Sequence, residues 1–431
     1  MSRRRKVAAT TATVTVVGLI AAAFVGISPQ WATTPRPVAA TTTLRGGDAA
    51  GPPPVGLATT PPMGWNGFNR FYTHVDAARV RAAARALISS GMKAAGYTYV
   101  NVDGGWDLYA RDAQGALQPN PKAFPGGIKP VADFVHALGL KFGIYASAGT
   151  RNCAGTSAGS YGHYWQDAAS FASWGVDFVK FDWCGIPYRD FPHMSRSQIG
   201  QVLASEMAQA IAATGRPIVY DVNDWTGDSP WTWAPRVSHM WRTTPDIHDR
   251  YASMVWNFSH NVTHFTLAHP GGWNDPDMLE VGNGGMTDVE YRSEFSLWAE
   301  MAAPLIAGND LPTMSQATQA ILTNSAVIAV DQDPMGLQGY PVASAGGHWV
   351  LTKPLMNGDR AVVLFNQTDK PATITTSMRQ LGLPGGLEYM LVDLWNGTAT
   401  DSEEEISAIV PAHGVVMYRI STSGSPPPTG Q

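Results

Sequence analysis

The chain reads as a (β/α)8 TIM barrel followed by a C-terminal antiparallel β-sandwich. Three observations in its 431 residues predict this. From 58 to 336, short β-branched and aromatic runs alternate with helix-like runs; several of the strand-like runs end on an aspartate; and beyond Gly336 the helical runs stop. In a parallel barrel the strand ends converge on one face, so acids far apart in sequence can line one pocket there.

Met63 to Phe68 is the first apolar segment, and Asp76 to Ser90 predicts a helix with Val80, Ala83, Ala84 and Leu87 on one face and Gly91 as its stop. Tyr97 to Asp103 is a second strand, ending on an acid. Ile128 to Leu138 is helical in period, Gly139 ends it, and Lys141 to Tyr145 follows as a strand. The helical run His163 to Ser173 leads into Trp174 to Cys184, a buried strand that finishes at Asp182 with Lys180 two residues back on the same face. Ser195 and Gln198 form a capping-box signature before a helix carrying Ile199, Leu203, Met207 and Ile211. Pro217 to Asp221, Ser238 to Arg242, His264 to Ala268 and Pro304 to Ala307 complete eight strands. An open doubly wound sheet is the competing arrangement, but no strand is followed by a Gly-x-Gly-x-x-Gly turn. From 337 to 421, short strands at Trp349 to Thr352, Ala361 to Phe365, Tyr389 to Leu394 and Gly414 to Ile420 lie between turns such as Asn357-Gly358, which predicts the sandwich. Residues 422–431, with three consecutive prolines, read as a disordered tail.

Composition narrows the function. Only 15% of residues are charged and the net charge is −5, which argues against a nucleic-acid footprint or a polybasic membrane patch. The expected partner is neutral, and the abundant Trp, Tyr and Phe offer flat faces suited to sugar rings as well as to core packing. Residues 1–46 have the layout of a secretory signal and spacer: Arg3-Arg4-Arg5-Lys6, an apolar run to Ile27, then a Pro/Ala/Thr-rich stretch, with cleavage after Ala32 or Ala40. This predicts a secreted, extracellular protein with no membrane contact after signal removal. An oxidising compartment then favours a bridge between the two cysteines, Cys153 and Cys184, over two free thiols. Three segments beginning at Asn257, Asn261 and Asn366 match the acceptor pattern for glycosylation.

Acids cluster after predicted strands: Asp103, Asp182, Asp221, Asp224, Asp246, Asp275 and Asp277. Two such acids suffice to hydrolyse a glycoside, one as nucleophile or water activator and one as proton donor. Asp182 is the first choice for nucleophile because its strand is the most buried; Asp221, Asp246 and Asp277 compete for the acid role. The ring could instead hold a divalent cation, but there is no His pair at ligand spacing and Lys180 repels an ion, so neither metal nor cofactor is expected. No Gly-x-Ser-x-Gly elbow points to a serine hydrolase.

At Pro62-Met63-Gly64-Trp65, Gly143-Ile144-Tyr145-Ala146, Cys153-Ala154-Gly155, Lys180-Phe181-Asp182-x-Cys184, Gly271 to Leu279 and Asp331-Gln332-Asp333-Pro334-x-Gly336, the chain resembles glycoside hydrolase family 27. These are retaining α-galactosidases and α-N-acetylgalactosaminidases, and the resemblance implies the same barrel and sandwich. It also implies Asp182 as nucleophile, Asp246 as acid/base, and Trp65, Asp103, Tyr145, Lys180, Arg242 and Asp277 as sugar contacts. Cys153 and Cys184 match a family disulfide. The implied partner is an oligosaccharide or polysaccharide with a terminal α-galactosyl unit.

Two departures bear on substrate. Asp103-Gly104-Gly105-Trp106 stands where galactose-specific members have two adjacent acids, so one carboxylate that reads the O4/O6 side of the sugar is missing. Asp221 to Trp225 also differs from the usual Cys-Glu-Trp in the loop that reads the 2-position. The same scaffold serves β-L-arabinopyranosides, α-N-acetylgalactosaminides and isomaltose-type α-glucosides, which remain alternatives, as does a barrel that binds carbohydrate without cleaving it.

Overall fold

The computed structural model describes residue 53 and residues 56–225 and 229–421; the leader read in 1–46 and the tail 422–431 lie outside the described residues. Eight parallel strands run in the order of the chain: β1 (Met63–Asn66), β2 (Tyr99–Val102), β3 (Lys141–Ser147), β4 (Phe178–Asp182), β5 (Val219–Asn223), β6 (Met240–Arg242), β7 (Trp273–Asp275) and β8 (Leu305–Ala307). From β1 to β7 each strand pairs with the next, and β8 pairs with β1. On the remaining side, Leu279 and Ala307 form a single parallel bridge between the segment after β7 and β8.

Helices occupy the crossovers, as right-handed β-α-β connection requires: α1 (Phe68–Phe71) and α2 (Ala77–Ser89), α3 (Lys129–Ala137), α4 (Tyr164–Trp174), α5 (Arg196–Ala213), α6 (Tyr251–Asn261), α7 (Asp288–Glu300), then α8 (Gln316–Leu322) and α9 (Ser325–Asp331) after β8. Their starts follow local chemistry. Asp76 caps α2, and Ser195 with Gln198 and Thr287 with Glu290 form reciprocal capping boxes on α5 and α7. Gly175 ends α4 in the left-handed conformation that a helix stop favours in glycine.

One expected strand is misplaced. The predicted run His264 to Ala268 starts on the last residue of a 3-10 turn, Val262–His264, that continues α6; residues 265–267 are turn, and β7 is Trp273–Asp275. The aromatic and β-branched residues of Phe265-Thr266-Leu267 mimic a strand, whereas the three-residue true strand is too short to show a period beside Gly271 and Gly272.

The sandwich begins at β9 (Tyr340–Ala345). With β10 (His348–Pro354), β11 (Arg360–Asn366), β13 (Tyr389–Asp393), β14 (Ala399–Ser402) and β16 (Val415–Ser421) it forms a six-stranded sheet, and β12 (Ala372–Ser377) pairs with β15 (Glu405–Val410) as a second layer. Alternation along β11 sorts its side chains into two cores. Val362 and Leu364 join Ile374 and Ile406 between the sandwich layers, while Ala361, Val363 and Phe365 join the core shared with the barrel. Phe258 of α6 lies edge-on to both Trp349 and Phe365. Trp395 donates from Nε1 to Ser296 Oγ on α7. Both Trp side chains of the sandwich therefore pack against the barrel.

Lys353 of β10 is fully buried at this junction and donates to the carbonyls of Ala299 and Val330 at 3.2 and 2.6 Å. Burial raises Glu300 and Asp331, which face it, to about 8, although the Lys353 charge opposes the rise. Asn257, Asn261 and Asn366 of the three acceptor motifs are all buried, and their amides are engaged inside the protein. The folded chain does not present them for glycosylation.

Truncating Phe365 to Ala removes an aromatic that both domains share. We expect it to lower stability by about 3–5 kcal/mol in denaturant titration, the usual cost of a buried Phe cavity.

Candidate active site

Period two along the strands stacks the barrel interior in layers. Tyr99, Phe178, Val219 and Met240 form an apolar floor with Trp273. Two residues further along the same strands come Asn101, Lys180, Asp221 and Arg242, with Tyr145, Lys180 and Asp221 in one register row. Two residues further again come Asp103, Asp182 and Asn223. The polar layers thus lie at the carboxyl ends of the strands, and a cavity enclosing about 460 Å³, including its mouth, opens there.

Of the sequence-derived catalytic and sugar-contact candidates, Asp103, Tyr145, Lys180, Asp182, Arg242, Asp246 and Asp277 all line this cavity. Trp65 does not. It is 1% exposed, pairs in register with Val100 and packs in the same cluster as Val100 and Val102, with its Nε1 donating to the Asn309 carbonyl. Phe68 supplies the aromatic wall instead. Asp221 is not in the cavity either, which removes it from the competition for proton donor. It lines a second space beneath, together with Asn101, Asn223 and Asp275.

Asp182 ends β4 at the floor of the cavity. The Trp183 backbone N–H donates to its Oδ1 at 2.8 Å, and Cys153 Sγ lies 3.0 Å from its Oδ2. Cys153 is bonded to Cys184 with Cα atoms 5.0 Å apart, which ties the loop after β3 to the residue pair that follows Asp182. Cys153, Asp182 and Cys184 stand close enough to suggest a metal grouping, but sulfurs joined in a disulfide offer no thiolate ligand.

Two buried cations organise the acids. Lys180 donates to Asp103 Oδ2 at 2.8 Å, and Asn66 donates to the same oxygen at 2.7 Å. Arg242, 1% exposed, reaches Asp246 Oδ1 at 2.9 Å, Asp277 Oδ1 at 3.1 Å and Asp275 Oδ2 at 3.4 Å. Asp277 also accepts backbone N–H groups from Met278 and Ile247, and holds a left-handed φ of 82°. Burial disfavours the charge on both cations, yet the surrounding carboxylates outweigh it at Lys180 and Arg242.

The two central acids differ. Burial raises Asp182 to about 6, with Lys180 opposing and Asp246 adding to the rise. Asp246, whose side chain is 55% exposed at the mouth, is lowered because Arg242 and Lys180 overcome its partial burial. Asp221, in the space below, is raised well above the carboxylate range by burial and by Asp275, and its Oδ1 has no hydrogen-bond partner among the described residues.

Sequence reasoning missed Phe68, Asn69, Thr73 and Asn152, which also line the cavity. Two of these uncharged residues lie in the short helix α1 and two in loops, and none carried a signal of its own. Gly104 lines it as well. A Cβ placed there would meet only Asn152 Nδ2 at 3.6 Å and the Tyr145 ring at 3.8 Å, both ordinary contacts. Of the segment Asp221 to Trp225, Asn223 faces the lower space, and residues 226–228 of the following loop lie outside the described residues.

A parallel barrel that brings four carboxylates and two buried cations into one polar pocket at its strand ends has the parts that a glycosidase needs. A family model described as alpha galactosidase A matches residues 60–333, and one for the alpha galactosidase C-terminal beta sandwich domain matches 345–420. An alpha-galactosidase from Oryza sativa subsp. japonica is 45% identical over 363 residues, 84% of this chain and 85% of that one. An alpha-N-acetylgalactosaminidase from Gallus gallus is 37% identical over 84% of this chain and 94% of that one. The crystal structure of alpha-galactosidase I from Mortierella vinacea superposes with a TM-score of 0.82 at 34% identity, covering 86% of this chain and 99% of that one. The chain belongs to this family of α-galactosidases, glycoside hydrolase family 27.

The two adjacent glycines should respond differently to a methyl group. Gly104→Ala is expected to change stability by less than about 1 kcal/mol, since its backbone suits any residue. Gly105, with φ of 102° and Thr73 O only 2.5 Å from a built Cβ, is expected to lose about 2 kcal/mol or more on change to Ala. Thermal unfolding of the two variants checks this.

Proposed function

We propose that the protein is an exported retaining glycosidase that removes terminal α-D-galactosyl units by double displacement. What supports this reading above all is that Asp182 and Asp246 open into one cavity, one at its buried floor and the other at its mouth. In the first step an Asp182 carboxylate oxygen bonds to the anomeric carbon as the bond to the leaving oxygen breaks, and the Asp246 proton passes to that oxygen. In the second, Asp246 takes a proton from water, the water oxygen bonds to the anomeric carbon, and the ester to Asp182 breaks. Asp103, Lys180, Arg242 and Asp277 offer acceptors and donors to the ring hydroxyls, and Tyr145 and Phe68 offer apolar surface.

Turnover begins with one proton on the carboxylate pair. In the free site both acids are ionised above the upper of the pair's two titrations, which the burial of Asp182 sets near 6. We therefore expect kcat/KM to be greatest below about pH 6 and to decline about tenfold per unit at higher pH, with the lowered Asp246 setting the acid limb. A pH–rate profile that climbs between 6 and 8 would count against the pair.

Substrate class is tested on chain lacking residues 1–46, with nitrophenyl α-D-galactoside, α-D-N-acetylgalactosaminide, β-L-arabinopyranoside and α-D-glucoside. The α-D-galactoside is expected to react fastest; another order assigns the space beside Gly104 to a different sugar. Asp182→Asn should lower kcat on the preferred substrate by about 10³-fold or more while the thermal midpoint is retained. A variant keeping most of its activity removes Asp182 from the nucleophile role.

A further inference from the structure

We infer that the C-terminal sandwich positions the barrel's proton donor, with His413 as the positioning residue; this rests on the reading of Asp246 as acid/base. Arg242 fixes the Asp246 carboxylate, but the backbone that carries it, residues 243–250 between β6 and α6, forms no helix or strand. Helix α6 has little help from its own sequence at its start beyond Ser253, whose hydroxyl accepts from the His248 N–H at 3.0 Å. Its N-cap residue is Arg250, which makes no side-chain capping bond, and its first turn holds no acid.

The sandwich supplies what α6 lacks. Tyr251, the first residue of α6, stacks on His413 with ring centroids 3.8 Å apart and planes 15° from parallel. The Tyr251 hydroxyl donates to the Gln367 carbonyl at 3.2 Å. His413 itself is held from two sides, with Nδ1 2.8 Å from Glu290 Oε1 and Nε2 2.8 Å from Asp369 Oδ1. The two carboxylates thus grip the ring through both of its nitrogens and fix its plane. The other Glu290 oxygen closes the capping box of α7, and the next residue, Tyr291, donates to Asp249 Oδ1 at 2.8 Å, three residues beyond Asp246.

Two turns along α6, Phe258 is clamped edge-on by Trp349 and Phe365 of the sandwich. Its neighbour Asn257 passes that position to the catalytic segment. The Asn257 amide donates to the Pro245 carbonyl at 3.1 Å, to Thr244 Oγ1 at 3.1 Å and to the Pro276 carbonyl at 2.8 Å. Pro245 directly precedes Asp246. An unbroken series of contacts thus runs from His413 through α6 to the peptide that carries the proton donor, and small displacements of such a group are costly to rate.

Leaving-group dependence separates this role from a merely structural one. A nitrophenolate departs with little protonation, whereas a sugar alkoxide needs the acid, so loss of donor alignment falls on the second kind of substrate alone. The experiment compares kcat/KM on nitrophenyl α-D-galactoside and on an α-galactosyl disaccharide for the parent, His413→Ala, His413→Gln, Trp395→Phe and Asp246→Asn. His413→Ala is expected to lose about tenfold or more on the disaccharide and less than about threefold on the aryl substrate. His413→Gln, which keeps a donor, should be milder in the same direction and serves if the Ala variant does not fold. Trp395→Phe, which loosens the sandwich from α7 alone, should leave the ratio of the two rates unchanged. Equal losses on both substrates in the His413 variants, or no loss, overturn the inference. Asp246→Asn reports on the underlying reading: without a strong leaving-group dependence there, Asp246 is not the donor and the inference falls with it.

Discussion

Arg242 places a charge that it cannot shed among Asp246, Asp275 and Asp277, and the shape of the barrel mouth follows from that arrangement. A guanidinium at the end of β6 would be intolerable in an apolar interior. The three carboxylates make it tolerable, and in return it holds them together. Removing Arg242 leaves three carboxylates without their shared cation. The same logic repeats one strand pair away, where Lys180 stands between Asp103 and Asp182.

These clusters are possible because strand parity separates the barrel interior into an apolar floor and polar upper layers. The floor of Tyr99, Phe178, Val219 and Met240 supplies burial with one polar atom, the Tyr99 hydroxyl. The layers above hold the acids and cations, part of them on the cavity and part, Asn101, Asp221, Asn223 and Asp275, on the space beneath. Asp221 marks the boundary: one layer below Asp182 on the neighbouring strand, it lies outside the cavity, and burial raises it well above the carboxylate range.

Much of this was legible in the chain. Seven of the eight barrel strands could be placed because each coincides with a β-branched or aromatic run, and aspartates at the ends of β2 and β4 announced the face on which the cavity opens. β7 was missed because three residues between a glycine pair and a proline carry no period. Trp65 illustrates a different limit. Its place in a motif suggested a sugar contact, but its register beside Val100 puts it in the row that packs outside the pocket, and a pattern of residue types does not reveal parity in a four-residue strand. Asn152, Phe68 and Thr73 could not be found at all, because uncharged residues in loops and in the short helix α1 are indistinguishable from any others until the chain is folded. The choice of Asp246 over Asp277 came from resemblance; spacing alone could not make it.

The buried ammonium of Lys353 has a consequence for how this polypeptide can be cut or recombined. It enters the barrel from a sandwich strand and satisfies carbonyls at the ends of α7 and α9 while facing Glu300 and Asp331. A barrel expressed without its partner would expose those carbonyls to water and strand two carboxylic acids on a bare apolar face. Exchanging the sandwich for one from another source would demand a cation at the same place in the incoming β10. The junction is therefore keyed, and the two halves are interchangeable only with lineages that preserved the key.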